Sequence, residues 1–165
     1  MKRLILMRHA KSSWNDPLQP DHERPLNGRG RRSAKAIGAW LADQGYVPDE
    51  VISSDAARTQ ETYALMGLQG CSPHWHRALY LASAATMMKH LRAAQGGTVL
   101  MLGHNPGIAE LAERLLVSPV GDGNFQRFPT AATLIARFDV DAWRDIDWGS
   151  AQAEAFIVPR ALGIE

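Results

Sequence analysis

Leu4-Ile5-Leu6-Met7-Arg8-His9 decides the fold: four apolar residues in unbroken succession, ended by a guanidinium and an imidazole. An apolar run this short marks a strand buried on both faces of a parallel sheet, because a half-exposed strand would alternate. Lys2 and Arg3 imitate the start of a secretory leader, but Arg8 and His9 close the run well below a leader's apolar length. Residues 98–102 repeat the pattern and stop at Gly103-His104-Asn105-Pro106-Gly107, and Val51-Ile52 runs into Ser53-Ser54-Asp55. Three apolar strands therefore end in polar turns.

Helical periodicity fills the gaps. Ala34, Ile37 and Leu41 recur at spacings of three and four, and Gly45 follows as a C-cap, which predicts a helix over 31–44. A second helix is expected over 56–66. Ser83 can cap a third, with Met87, Met88 and Leu91 inward, and Pro106 suits the first turn of a fourth that carries Ile108, Leu111, Ala112 and Leu115. Late strands are expected over 132–138 and 155–158, while the purpose of residues 118–150 is not legible. Strands alternating with helices predict a three-layer α/β/α sandwich with a mostly parallel central sheet, and 165 residues suit one domain over 1–165. Ligands of such sheets bind beyond the carboxyl ends of the strands.

With 18 Lys and Arg against 17 Asp and Glu, the chain has a formal charge of +1 and no broad field for nucleic acid or an anionic membrane. No apolar stretch approaches the roughly 20 residues of a membrane span. The lone Cys71 cannot close an internal disulfide, so a reducing, cytoplasmic setting is expected. Arg29, Arg31, Arg32 and Lys35 read as a solvated helix face, and Trp40, Trp143, Met87 and Met88 as packing residues. His74 and His76 share one face of a strand but lack a third ligand, so neither a metal nor another cofactor is expected. Nothing in the sequence speaks to oligomeric state.

The three strand ends bring Arg8 and His9, Arg58, and His104 toward one crevice. Guanidiniums match the oxygens of a phosphoryl group, and a neutral imidazole is a good nucleophile toward phosphorus. The expected chemistry is phosphoryl transfer to histidine followed by attack of water.

Met7-Arg8-His9-Ala10-Lys11-Ser12-Ser13-Trp14-Asn15 resembles the Arg-His signature of the histidine phosphatase superfamily, which has the phosphoglycerate-mutase-like fold. Arg24-Pro25-Leu26-Asn27-Gly28-Arg29-Gly30, Ser54-Asp55-Ala56-Ala57-Arg58-Thr59 and Gly103-His104-Asn105 continue the resemblance in the family's order, to about residue 115. Within the superfamily the chain looks most like the SixA-type phosphohistidine phosphatases. The resemblance implies that His9 is phosphorylated during turnover, that Arg8, Arg58 and His104 hold the phosphoryl group, and that Ser12, Asn15 and Arg24 line the pocket. It also implies a phosphorylated protein as partner. Many members place an acidic proton donor where this chain reads Arg77-Ala78-Leu79-Tyr80-Leu81-Ala82-Ser83, without a carboxylate. That absence favours a phosphohistidine, which releases an imidazole, although Asp16, Asp21, Glu23 and Asp55 are loop carboxylates able to substitute. A small phosphate ester, or a phosphate-binding module with little turnover, are the alternatives.

Overall fold

A computed structural model describes residues 1–164. Its core strand is β1 (Lys2–Arg8), followed by α1 (Gly28–Gln44), β2 (Glu50–Ser54), α2 (Ala57–Met66), β3 (Pro73–His76) and α3 (Ala84–Arg92). Then come β4 (Thr98–Gly103), α4 (Gly107–Leu115), β5 (Thr133–Phe138) and β6 (Gln152–Ile157). The six strands form one sheet in the order β3-β2-β4-β1-β5-β6. The first four are parallel, and β5 runs against both of its neighbours. This is the expected three-layer α/β/α arrangement with a mostly parallel sheet.

Alternation along β1 explains why both faces need cover. Ile5 and Met7 join Ala34, Ile37, Leu41 and Met66 beneath α1 and α2. Leu4 and Leu6 join Met87, Leu91, Ile108 and Leu111 beneath α3 and α4. All four strand residues are fully buried, and each such side chain contributes roughly 1.5–3 kcal/mol. Trp143, Met87 and Met88 lie in the core as expected, with Trp40 packed at its margin.

Several boundaries differ from the sequence expectation. Helix α1 begins at Gly28, three residues early, because the Asn27 side chain accepts from the Gly30 N–H and starts the first turn. Gly30 is required there: a Cβ would collide with the Lys11 carbonyl. Strand β6 begins at Gln152, and Ser83 and Gly45 cap as expected. Arg29, Arg31, Arg32 and Lys35 are exposed. His76 faces His90 with ring centroids 5.0 Å apart, but among the described residues no three His, Cys, Asp or Glu side chains gather to hold a metal ion. Among them, too, no helix is long and apolar enough to cross a membrane.

Two features of the sheet assemble the site. The parallel register sets Arg8 opposite Gly103, which brings His9 and His104 side by side just past the strand ends. The reversed β5 begins where β1 ends, with Thr133 opposite Met7. The chain entering β5 must therefore cross the same edge of the sheet. Ala131 donates its N–H to the carbonyls of Arg8 and His9, and Arg8 returns a bond to Ala132. Phe128 (φ 46) and Ala131 (φ 61) take left-handed backbone to make this passage.

Candidate active site

Four side chains meet beyond β1, β2 and β4. His9 is 6% exposed, and its Nδ1–H donates to the Ala10 carbonyl at 2.7 Å. A carbonyl only accepts, so this bond leaves the lone pair on Nε2. Arg58, from the first turn of α2, aims its Nε–H at that lone pair at 3.4 Å. Its Nη2 donates to Nδ1 of His104 at 3.3 Å. A guanidinium cannot accept, so His104 carries its proton on Nε2, which donates to Ser54 Oγ at 2.8 Å. Ser54 Oγ also takes the Ala56 N–H at 3.2 Å, tying the turn before α2 to the orientation of His104.

The opposite edge of Arg58 is held by the loop at 16–27. Its Nη1 donates to the Asp21 carbonyl at 2.8 Å and its Nη2 to Asp21 Oδ2 at 3.0 Å. Tyr80 donates its hydroxyl to the same Oδ2. Arg58 thus presents its Nε–Nη2 edge to two imidazole lone pairs at long distance, where anionic oxygens would be stronger acceptors. Arg8 donates through Nη1 to the Phe128 carbonyl at 3.3 Å, while its buried Nε has no partner among the described residues.

Electrostatics follow from this burial. His9 is pushed down to about 3, first by burial and then by Arg58 and Arg8, which outweigh the Ala10 carbonyl. His104 is pushed down to about 3 by burial, by His9 and by Arg58. Partial desolvation works to raise the Asp21 carboxyl, but Tyr80 and Arg58 overcome it and hold Asp21 below its ordinary value. The free site therefore holds two neutral rings, two cations and one carboxylate near neutral pH.

Stability should register the two rings. Both folded values lie below the unfolded value of about 6.5, so their contribution is present above that pH and is lost as pH falls toward 3. The expected loss reaches about 1.4 kcal/mol per pH unit for each ring. Urea unfolding between pH 7 and 4.5 measures it, and H9Q should flatten the slope. A wild-type slope equal to that of H9Q would contradict a buried neutral His9.

These groups form the floor of a cleft of about 280 Å³ that also takes in Ser12, Lys11, Asp21 and Asn105. Ser12 thus lines the cleft. Asn15 and Arg24 do not line the cleft: Asn15 is exposed in the bend after Ser13, and Arg24 is buried behind Trp14, its guanidinium 3.7 Å from the indole centroid. Of the four loop carboxylates, only Asp21 lines the cleft, and Asp55 is bonded to His22. Trp14, Leu81 and Thr130 also line it without having been singled out. Trp14 was within reach of the sequence, since it stands inside the Arg-His motif, whereas nothing in the sequence marks Leu81 or Thr130.

The profile of the histidine phosphatase superfamily (branch 1) matches residues 4–80. An uncharacterized protein of Mycobacterium tuberculosis is 33% identical over 161 residues, covering 93% of this chain and all of its own. A candidate phosphohistidine phosphatase SixA from Nakamurella multipartitia superposes with a TM-score of 0.81 at 27% identity, over 96% of both chains. Its counterpart from Agrobacterium tumefaciens gives 0.79 at 26% identity, over 96% of this chain and 98% of the other.

Proposed function

This chain belongs to the histidine phosphatase superfamily, and from that premise we propose that it is a phosphatase that removes phosphate from a phosphohistidine on a partner protein, through a phosphorylated His9. The His9 Nε2 lone pair attacks phosphorus, the N–P bond of the substrate breaks, and the imidazole, already protonated on its other ring nitrogen, takes the bonding pair and departs neutral. Arg8 and the Nε–Nη2 edge of Arg58 receive the phosphoryl oxygens, whose charge they neutralise without a metal ion. His104, oriented by Ser54, stands beside the same oxygens. Water then attacks phosphorus, the bond to His9 breaks, and inorganic phosphate leaves with His9 neutral again.

One observation supports the choice of substrate above all. The cleft has donors and a nucleophile, but Asp21, the carboxylate that lines it, is held ionised by Tyr80 and Arg58. An alkoxide departing from a phosphate ester needs a proton, and general acid catalysis is worth about 10²–10⁴-fold. An imidazole departs without that help, since its free nitrogen is protonated near neutral pH. A small phosphate ester is the second reading, favoured by Asp21 reaching the cleft at all.

A substrate panel separates the two. A phosphohistidine protein and phosphoramidate should exceed glycerol and sugar phosphates in kcat/KM by about 100-fold or more, with no loss on adding a chelator. Faster turnover of the alkyl esters would overturn the phosphohistidine reading.

A further inference from the structure

Seven large apolar side chains are strongly exposed among the described residues, and two of them, Trp14 and Leu81, line this cleft. Trp14 is 67% exposed and Leu81 53%. Trp14 is held in place by its surroundings. Ser12 bridges Leu26, and Ser13 donates to the Pro25 carbonyl at 2.7 Å, so the loop base carries Trp14 and Arg24 together. Arg24 is buried, tied to the Ser13 carbonyl at 3.3 Å, and its guanidinium covers one face of the indole. The cation fixes the ring and leaves the rest of it open. Leu81 takes a left-handed backbone (φ 50), a conformation a leucine seldom adopts, and is nonetheless left facing solvent at the cleft.

A phosphoryl group drawn to the cationic floor leaves the group that carries it against these apolar walls. Resting on the phosphatase reading of the same site, we propose that Trp14, backed by Arg24 and joined by Leu81 in lining the cleft, is the recognition surface for a planar aromatic ring bearing the phosphoryl group. The site then selects ring-borne phosphoryl groups over aliphatic ones by stacking on the indole. The imidazole of a phosphohistidine is such a ring. Trp14 acts on the substrate's carrier group and not on phosphorus, so its removal should cost a ring-bearing donor more than a ringless one.

Two N–P donors that differ in the ring provide the test: N-phosphoimidazole and phosphoramidate, assayed by phosphate release with the full chain. W14A should lower kcat/KM for N-phosphoimidazole about tenfold more than for phosphoramidate, mostly through KM. L81A should act in the same direction, and W14F should restore most of the loss. Equal losses on both donors would mark Trp14 as merely structural and overturn the proposal, as would no loss on either. If wild type hydrolysed neither donor, the phosphatase reading would fall and this inference with it. Turnover of phosphoramidate with unchanged N-phosphoimidazole kinetics in W14A would leave the phosphatase standing and remove only the ring surface.

Discussion

H9A is expected to lose at least about 10⁴-fold in kcat, the scale on which enzymes fail when their nucleophile is removed. The other imidazole on the cleft floor, His104, is held by its Nε2–H to Ser54 Oγ and stands beside His9 with ring centroids 5.2 Å apart, so it is not placed to take over the His9 position. The experiment is acid quenching of a labelled N–P donor within one turnover. Wild type should carry acid-labile label on His9, and H9A should carry none and release almost no phosphate. Turnover within tenfold of wild type in a folded H9A would eliminate the nucleophile assignment. Trapped label with no release to water would instead indicate a phosphate-accepting module.

R58A should cost about 10³-fold in kcat/KM, and R58K should recover less than tenfold of that. Arg58 is 4% exposed and ties the two imidazoles to the 16–27 loop: its Nε–Nη2 edge meets the two rings, and its other edge grips Asp21 by backbone and side chain. A lysine delivers one point charge and cannot occupy both edges. In R58A the Asp21 carboxylate keeps Tyr80 and Arg24 but loses Arg58, so its downward displacement should shrink. Added guanidinium ion should rescue R58A more than R58K, because the alanine leaves room for it. Near-normal activity in R58K would mean that charge alone, without the planar fork, is sufficient.

The placement of the floor residues was legible because it obeys two local rules. An apolar run that ends in a polar residue names a strand terminus, and parallel strands place their termini on one side of a sheet; Arg8, His9 and His104 follow directly. Arg58 was legible through its motif, since periodicity alone would leave it on a helix surface, yet it is buried. Asn15 and Arg24 belong to the same motifs and still lie off the cleft, because a motif fixes neighbours along the chain and not the direction of a side chain. In Arg24's case the indole of Trp14 stands between it and the cleft. Asp21 was visible only as one of four loop carboxylates, because loop conformation depends on partners such as Arg58 and Tyr80 from far along the chain. The stretch at 124–132 has neither period, since left-handed residues and turns follow the sheet edge they cross.

That stretch also sets the order in which the site can come into being. All four reactive side chains lie within the first 104 residues, and a chain made to that point already contains the strands that carry them. Arg8, however, takes its side-chain anchor from Phe128, and the carboxyl end of β1 is fastened by Ala131 and Ala132. During synthesis the nucleophile would emerge long before its surroundings. The guanidinium is held in place only once β5 has turned back along β1, so a chain cut short of residue 128 carries every reactive side chain and lacks the carbonyl that anchors Arg8.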